Sequence, residues 1–173
     1  MRKILVVVDM QNDFVDGSLG TKEAVGIVEN VVEEIKKYRT EDIFATRDTH
    51  PENYLETQEG KHLPVVHCVK NTNGWEINKE VAAVLKDAKI IDKLTFGSKE
   101  LAEEITKIAE KEEVEVTLVG LCTDICVVSN ALLIKAYLPE ISVKVIASCC
   151  AGVTPESHEA ALTTMKMCQV EVC

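Results

Sequence analysis

Along this chain, apolar residues alternate between short continuous runs and runs at helical spacing. Residues 4–8, Ile-Leu-Val-Val-Val, form an unbroken, largely β-branched run, as expected of a strand buried on both faces. Ala24, Ile27, Val28, Val31, Val32 and Ile35 then follow helical spacing. Residues 43–45 read as a short strand, Ile90-Ile91 as another, and 116–119 as a third. Between the last two, Leu101, Ala102, Ile105, Ile108 and Ala109 give a helix face with Ser98 as its N-cap. Residues 125–137 read as helix and 143–147 as strand. Thr154-Pro155 starts a last helix with Pro at its first position, and 170–172 reads as an edge strand. Residues 48–76 are the longest stretch without clear periodicity, and they hold three of the four histidines and the only Trp.

Strand and helix alternating in this way predict an α/β fold of three layers, a mainly parallel sheet between helices. With 173 residues, a single domain over 1–173 is expected. Ligands in such sheets sit beyond the carboxyl ends of the strands. Asp9 ends the first strand, Arg47 and Asp48 follow the second, Lys93 follows Ile90-Ile91, and 120–126 follows the strand at 116–119. Chain order therefore predicts that these residues share one edge.

Composition narrows the class. Apolar residues are 46% of the chain and aromatics only 4%, so Val, Ile, Leu and Ala must fill the core. A net charge of −10 argues against a nucleic-acid binder. No apolar run approaches the ~20 residues of a membrane span, and the start of the chain does not read as a secretory signal. Seven cysteines, an odd number without framework spacing, suit free thiols in a reducing cytoplasm.

The segment V-G-L-C-T-D-I-C-V at 119–127 carries two thiols four residues apart. Near a helix start, unpaired N–H groups and the helix dipole favour a thiolate at Cys126. Lys93 would add positive charge, and Asp9 could accept and return a proton, completing an acyl-transfer set. Each residue also has a plainer reading: a strand-end Asp is often a cap, a Lys a solvated end and a helix-start Cys part of the core. Asp48 and His50, two apart, face the same side if extended, and His67 returns on a later segment. One carboxylate and two imidazoles can hold a divalent ion with positions left open, although an ordinary polar loop would look the same.

V-V-D-M-Q-N-D-F at 7–14, I-D-K at 91–93 with F-G-S at 96–98, and the 119–127 segment resemble the isochorismatase-like cysteine hydrolases, the nicotinamidase branch most nearly. The resemblance spans nearly the whole chain. It implies an Asp9–Lys93–Cys126 triad, a cis peptide at Leu121–Cys122, and an oxyanion hole from the N–H groups of Cys122 and Cys126. It implies Phe14 as an apolar wall for a planar substrate, beside a core role for the same ring. It implies Asp48, His50 and His67 as ligands of a divalent metal, zinc first, with iron or manganese as alternatives. The implied activity is hydrolysis of a small carboxamide through a thioester, nicotinamide to nicotinate and ammonia being the leading substrate. Another small amide or carbamoyl compound is the alternative on the same fold; a non-catalytic binding domain or a thiol-redox protein stands further off. A small-molecule amide is the expected partner, with neither nucleic acid nor membrane, and a homo-oligomer is expected.

The chain departs from the family pattern beside the histidines. Tyr54 stands where many members have a further His, and Leu63 where many have a Trp. Glu59 and His62 become candidates for a fourth ligand, and Trp75 for the missing stacking aromatic. Thr123 and Asp124 read as helix caps, the Cys122 thiol as incidental, and His158 as a helix-surface residue.

Overall fold

The computed structural model describes all of residues 1–173. Six strands, β1 (Arg2–Val8), β2 (Ile43–Asp48), β3 (Lys89–Lys93), β4 (Val114–Leu121), β5 (Ser142–Ala151) and β6 (Glu171–Val172), form one sheet in the order β3-β2-β1-β4-β5-β6. Every pair is parallel. The β-branched run of β1 lies at the centre, where both faces are covered, and residues 4–8 are at most 1% exposed.

The helices are α1 (Asn12–Val15), α2 (Lys22–Gly26), α3 (Val28–Ile35), α4 (Gln58–His62), α5 (Lys79–Leu85), α6 (Lys99–Ala109), α7 (Val128–Tyr137) and α8 (Pro155–Met167). One core joins Leu5 and Val7 to Val31, Ile35, Val81 and Leu85 of α3 and α5. The other joins Ile4 and Val6 to Leu101, Ile105, Ile134 and Leu162 of α6, α7 and α8. Alternate residues of β1 thus feed opposite layers, as the period of a strand requires. The expected caps are present: Ser98 accepts from Leu101 N–H, and Thr154 forms a capping box with Ser157 ahead of Pro155.

Two expectations change. The helical spacing from Ala24 to Ile35 is divided at Ile27 into α2 and α3, and Gly26 ends the first piece. The helix expected over 125–137 begins as a π-helical turn, Thr123–Val127, before α7 takes over. None of the seven cysteines is paired in a disulfide. No helix is long and apolar enough to cross a membrane.

Register brings the predicted edge together. Asp48 pairs with Lys93 across β2 and β3, Val7 with Ala45, and Val8 with Gly120. Strands β1 and β4 diverge here in connection order, the switch point at which such sheets open a crevice. At Gly120, with φ 118°, a β-carbon would lie 2.1 Å from the Val8 carbonyl oxygen, so no side chain fits this crossing.

Candidate active site

Asp9 follows β1 with φ 47°, a left-handed turn uncommon outside glycine. Its N–H meets the Thr46 carbonyl at 3.2 Å, and Thr46 Oγ1 donates to Asp9 Oδ1 at 2.6 Å. Its other oxygen, Oδ2, lies 2.7 Å from Lys93 Nζ. That ammonium contact is the one partner of this buried oxygen. Lys93 Nζ also reaches Cys126 Sγ at 3.2 Å and Asp48 Oδ1 at 3.4 Å. The three residues predicted from separate strand ends thus meet at one ammonium, all at most 4% exposed.

Electrostatics here differs from the helix-start argument. Burial pushes the Cys126 thiol well up, the Asp9 charge adds to it, and Lys93 only partly opposes them. Burial also raises Asp9, against the pull of Lys93. Burial works against the Lys93 charge, but the carboxylates of Asp9 and Asp48 outweigh it, and its pKa rises. Burial thus opposes the thiolate that a helix start favours at Cys126, and Lys93 Nζ, within reach of both Asp9 and the sulfur, is the cation that offsets it.

Cys126 lies within the π-helical turn, and the Leu121–Cys122 peptide is cis, as the resemblance implied. The expected caps are absent. Thr123 Oγ1 is instead 2.7 Å from His158 Nδ1, and Asp124 accepts from Val153 N–H at 3.1 Å. Both side chains tie the nucleophile turn to the start of α8. His158 is accordingly half-buried and bonded rather than free on the surface. Asn130, which sequence reasoning did not single out, is fully buried and donates to the Cys126 carbonyl at 2.8 Å.

The histidine segment is held by the residues of the first motif. Gln11 accepts from Asp48 N–H at 2.7 Å and donates to the carbonyls of Asp48 (2.8 Å) and Trp75 (2.9 Å). Asp13 accepts from Cys68 N–H at 2.8 Å. His50 and Val69 form a parallel bridge, which carries His67 up to His50. Neither Gln11 nor Asp13 was given a role from sequence; the available signal was a polar run, Gln11-Asn12-Asp13, between Met10 and Phe14 directly after the central strand.

Asp48, His50, Glu59 and His67 each offer one ligand atom, all within 4.8 Å of one another. His50 Nε2 is 2.9 Å from Asp48 Oδ2, and Glu59 Oε1 is 3.7 Å from Nε2 of both histidines. His67 Nδ1 bonds to the Val65 carbonyl at 2.7 Å, which places the proton there and turns the Nε2 lone pair to the cluster. Burial opposes ionisation of Asp48, but the two imidazoles and Lys93 outweigh it and hold the carboxyl well below the usual range. Two nitrogens and two carboxylates in this space fit a divalent ion, and zinc, iron and manganese all accept such a set. Glu59 thus joins the expected three. His62 does not: it is exposed and bonded to the Gln58 carbonyl. Tyr54 fills the position of the missing histidine as packing, its ring edge-on to His50 and His67 at 4.7 and 4.9 Å.

Between the two clusters lies a pocket of about 250 Å³, lined largely by apolar side chains, with Asp48, Glu59 and His67 at one side and Cys122 and Cys126 at another. Phe14 lines the pocket and also packs against the His67 ring at 5.5 Å. Trp75 does not reach this pocket. Its Nε1 donates to Thr49, and its face is covered by the Arg47 guanidinium at 3.5 Å. Arg47, also paired with Asp92, is thereby drawn away from the pocket. Phe96 is the second aromatic wall. A larger groove of about 690 Å³ lies at the opposite, amino end of the strands, where Arg2 and Arg39 pair with Asp42.

The isochorismatase domain model matches residues 3–173. A nicotinamidase of Saccharomyces cerevisiae is 29% identical, over 75% of this chain and 80% of its own length. The crystal structure of a pyrazinamidase of Pyrococcus horikoshii in complex with zinc superposes with a TM-score of 0.81 at 31% identity, covering 100% of this chain and 99% of that one. A nicotinamidase/pyrazinamidase of Bacillus subtilis has the same fold, with a TM-score of 0.85 at 24% identity and full coverage of both chains.

Proposed function

The chain belongs to the isochorismatase family, and from that premise we propose that it hydrolyses nicotinamide to nicotinate and ammonia through a thioester on Cys126. At the coarser level it is an amidohydrolase acting on C–N amide bonds. One observation carries the finer reading. A single buried ammonium, Lys93 Nζ, touches the carboxylate of Asp9 and the sulfur of Cys126 at the edge of a small apolar pocket. At about 250 Å³ the pocket falls just below the ~300 Å³ at which drug-sized sites begin, a size suited to one planar ring.

The mechanism follows from the proton. Asp9, whose Oδ2 meets only the Lys93 ammonium, takes the thiol proton as Sγ attacks the carboxamide carbon. Burial that disfavours either charge alone favours moving one proton between them, and Lys93 stabilises whichever partner is negative. The oxyanion forms against the N–H groups of Cys122 and Cys126; one such donor is typically worth about 10²–10³ in kcat. Asp9 then returns the proton to the departing amine, releasing ammonia. Water attacks the thioester with Asp9 as base, restoring thiol and carboxylic acid product.

Asp48, His50, Glu59 and His67 would hold a divalent ion at the pocket, three of them in its lining. Such an ion supplies a Lewis-acid contact for a ring nitrogen, which favours pyridine and pyrazine carboxamides over benzamide. Phe14 and Phe96 supply apolar contact to the ring.

The test is ammonia release from nicotinamide by metal-replete protein beside Cys126→Ala. Activity in the parent and none in the variant, with both equally folded by circular dichroism, is the expected outcome. Activity retained in the variant refutes the nucleophile. Silence on nicotinamide with turnover of another small amide or a carbamoyl compound replaces the substrate and keeps the chemistry.

A further inference from the structure

Asn130 is a fully buried polar side chain that the mechanism above does not use. Its amide makes three bonds, and they run to two different walls of the pocket. Nδ2 donates to the Cys126 carbonyl at 2.8 Å and to the Phe96 carbonyl at 3.2 Å; Oδ1 accepts from Ser98 N–H at 2.9 Å. The last two bonds bracket the peptide units around Gly97, next to Phe96. The turn at 95–98 also lies close on α7: a β-carbon at Gly97 would come 3.3 Å from the Ser129 carbonyl oxygen and the Leu133 side chain.

Phe96 itself has little to hold it. It is 45% exposed, whereas Phe14 across the pocket is 8% exposed and packed in the core. A half-exposed aromatic keeps its place only if its backbone is fixed. That backbone is fixed by the same side chain that grips the carbonyl of Cys126.

We propose that Asn130 is a positioning residue that sets substrate preference: it holds Phe96 at a fixed station in the lining of the pocket that contains Cys126, so that the site favours planar aromatic amides. This rests on the assignment of Cys126 as nucleophile and deepens it. It also accounts for a ring-binding wall in a chain with Leu63 at the pocket and Trp75 turned away from it.

Asn130→Ser separates the two grips. A serine in a helix can still bond the carbonyl four residues back, here that of Cys126, but it is too short to reach Phe96 or Ser98. The readout is the rate of Cys126 modification, followed by peptide mass spectrometry. Two electrophiles are compared, iodoacetamide, which is small, and N-phenylmaleimide, which carries a ring. Phe96→Ala is expected to lower the phenylmaleimide-to-iodoacetamide rate ratio about three- to tenfold, the worth of one aromatic contact. Asn130→Ser is expected to lower it as much, with the iodoacetamide rate unchanged. The double variant is expected to show no further loss, because both changes remove the same wall.

An additive double variant, or a ratio unmoved by Asn130→Ser while the iodoacetamide rate stays at the parent value, overturns the proposal. A general loss of folding is recognised by a shift in the iodoacetamide rate itself, and Asn130→Gln then decides: a Gln variant that folds and labels at the parent iodoacetamide rate yet shows no trace of the Phe96 effect overturns the proposal as well. Asn130→Gln, which keeps the amide, should restore part of the ratio. The ratio needs no turnover, so failure to hydrolyse nicotinamide would strike the substrate assignment and not this one.

Discussion

The two sides of the pocket are built by different means. On one side, Asp9 and Lys93 stand at the ends of β1 and β3, where register brings them level, and Cys126 follows β4 in a short turn tied down by Thr123, Asp124 and Asn130. On the other, Asp48 still belongs to a strand, but His50, Glu59 and His67 lie on a segment with only a 3₁₀ turn, Tyr54–Glu56, and the five-residue α4. That side is held by borrowed hydrogen bonds, from Gln11 to Asp48 and from Asp13 to Cys68. A set of reacting groups gains most from rigid elements, since small displacements are costly in rate. A metal set can be assembled from loops because the ion itself supplies cohesion when bound. Lys93 joins the two sides, with 2.7 Å to Asp9 and 3.4 Å to Asp48.

The largest effect should come from cutting that joint. Lys93→Met leaves two buried carboxylates without their cation, and breaking such a pair typically costs about 3–5 kcal/mol of stability. Turnover should fall by about 10²–10³, the loss expected of one preorganised electrostatic contact. The sign with pH is also set. Lys93 lowers the Asp9 pKa, so its removal lets burial push Asp9 further up. Asp9 must be ionised to take the thiol proton, so the acid limb of residual kcat/KM should move to higher pH. Metal content by atomic absorption should be retained, because Asp48, His50, Glu59 and His67 remain. Loss of the metal along with turnover would show the two sides to be one unit.

The next effect falls on the loop side alone. Gln11→Ala removes three bonds to the backbone around Asp48 and Trp75. Loss of an outer partner of a metal site typically costs about 10- to 100-fold in affinity, and that range is expected in a competitive chelator titration. Iodoacetamide labelling of Cys126 should not change. A parallel fall in labelling would mean that Gln11 supports the reacting groups too.

The same division decides what could be read from the sequence. The sheet was legible because residues 4–8 and 116–119 are short apolar runs that bury both faces, and because Ser98 and Thr154-Pro155 mark helix starts by local chemistry. Asp9, Lys93 and Cys126 were legible for the same reason, as the residues that follow strands. Residues 48–76 had no period to read. Their shape depends on contacts with Gln11 and Asp13, 35 or more positions away, so Trp75 stood as a candidate for the stacking aromatic although Arg47 and Thr49 hold it elsewhere. Asn130 was hidden differently. It lies on the helix next to the nucleophile, and its value is in bonds to a turn 32 to 34 positions earlier. The thiol pKa was misjudged because a helix start is visible in a sequence and burial of Cys126 beside Asp9 is not.

The smallest effect probes whether the loop side depends on packing or on polarity. Tyr54 is fully buried, its hydroxyl donates to the Leu63 carbonyl at 2.8 Å, and burial pushes its pKa up to about 12. Tyr54→Phe keeps the ring against His50 and His67 and removes only the hydroxyl. The expected loss is about 0.5–1.5 kcal/mol of stability, read from a denaturant midpoint, with metal affinity unchanged. Tyr54→Ala removes the ring as well, at about 3–5 kcal/mol by analogy with buried Phe, and should loosen both imidazoles. A Tyr54→Phe protein that loses metal as readily as Tyr54→Ala would make the hydroxyl, through the Leu63 carbonyl, the true support of the histidines. Equal metal binding in Tyr54→Phe and the parent would show that an aromatic edge is enough to seat His50 and His67 beside Asp48 and Glu59.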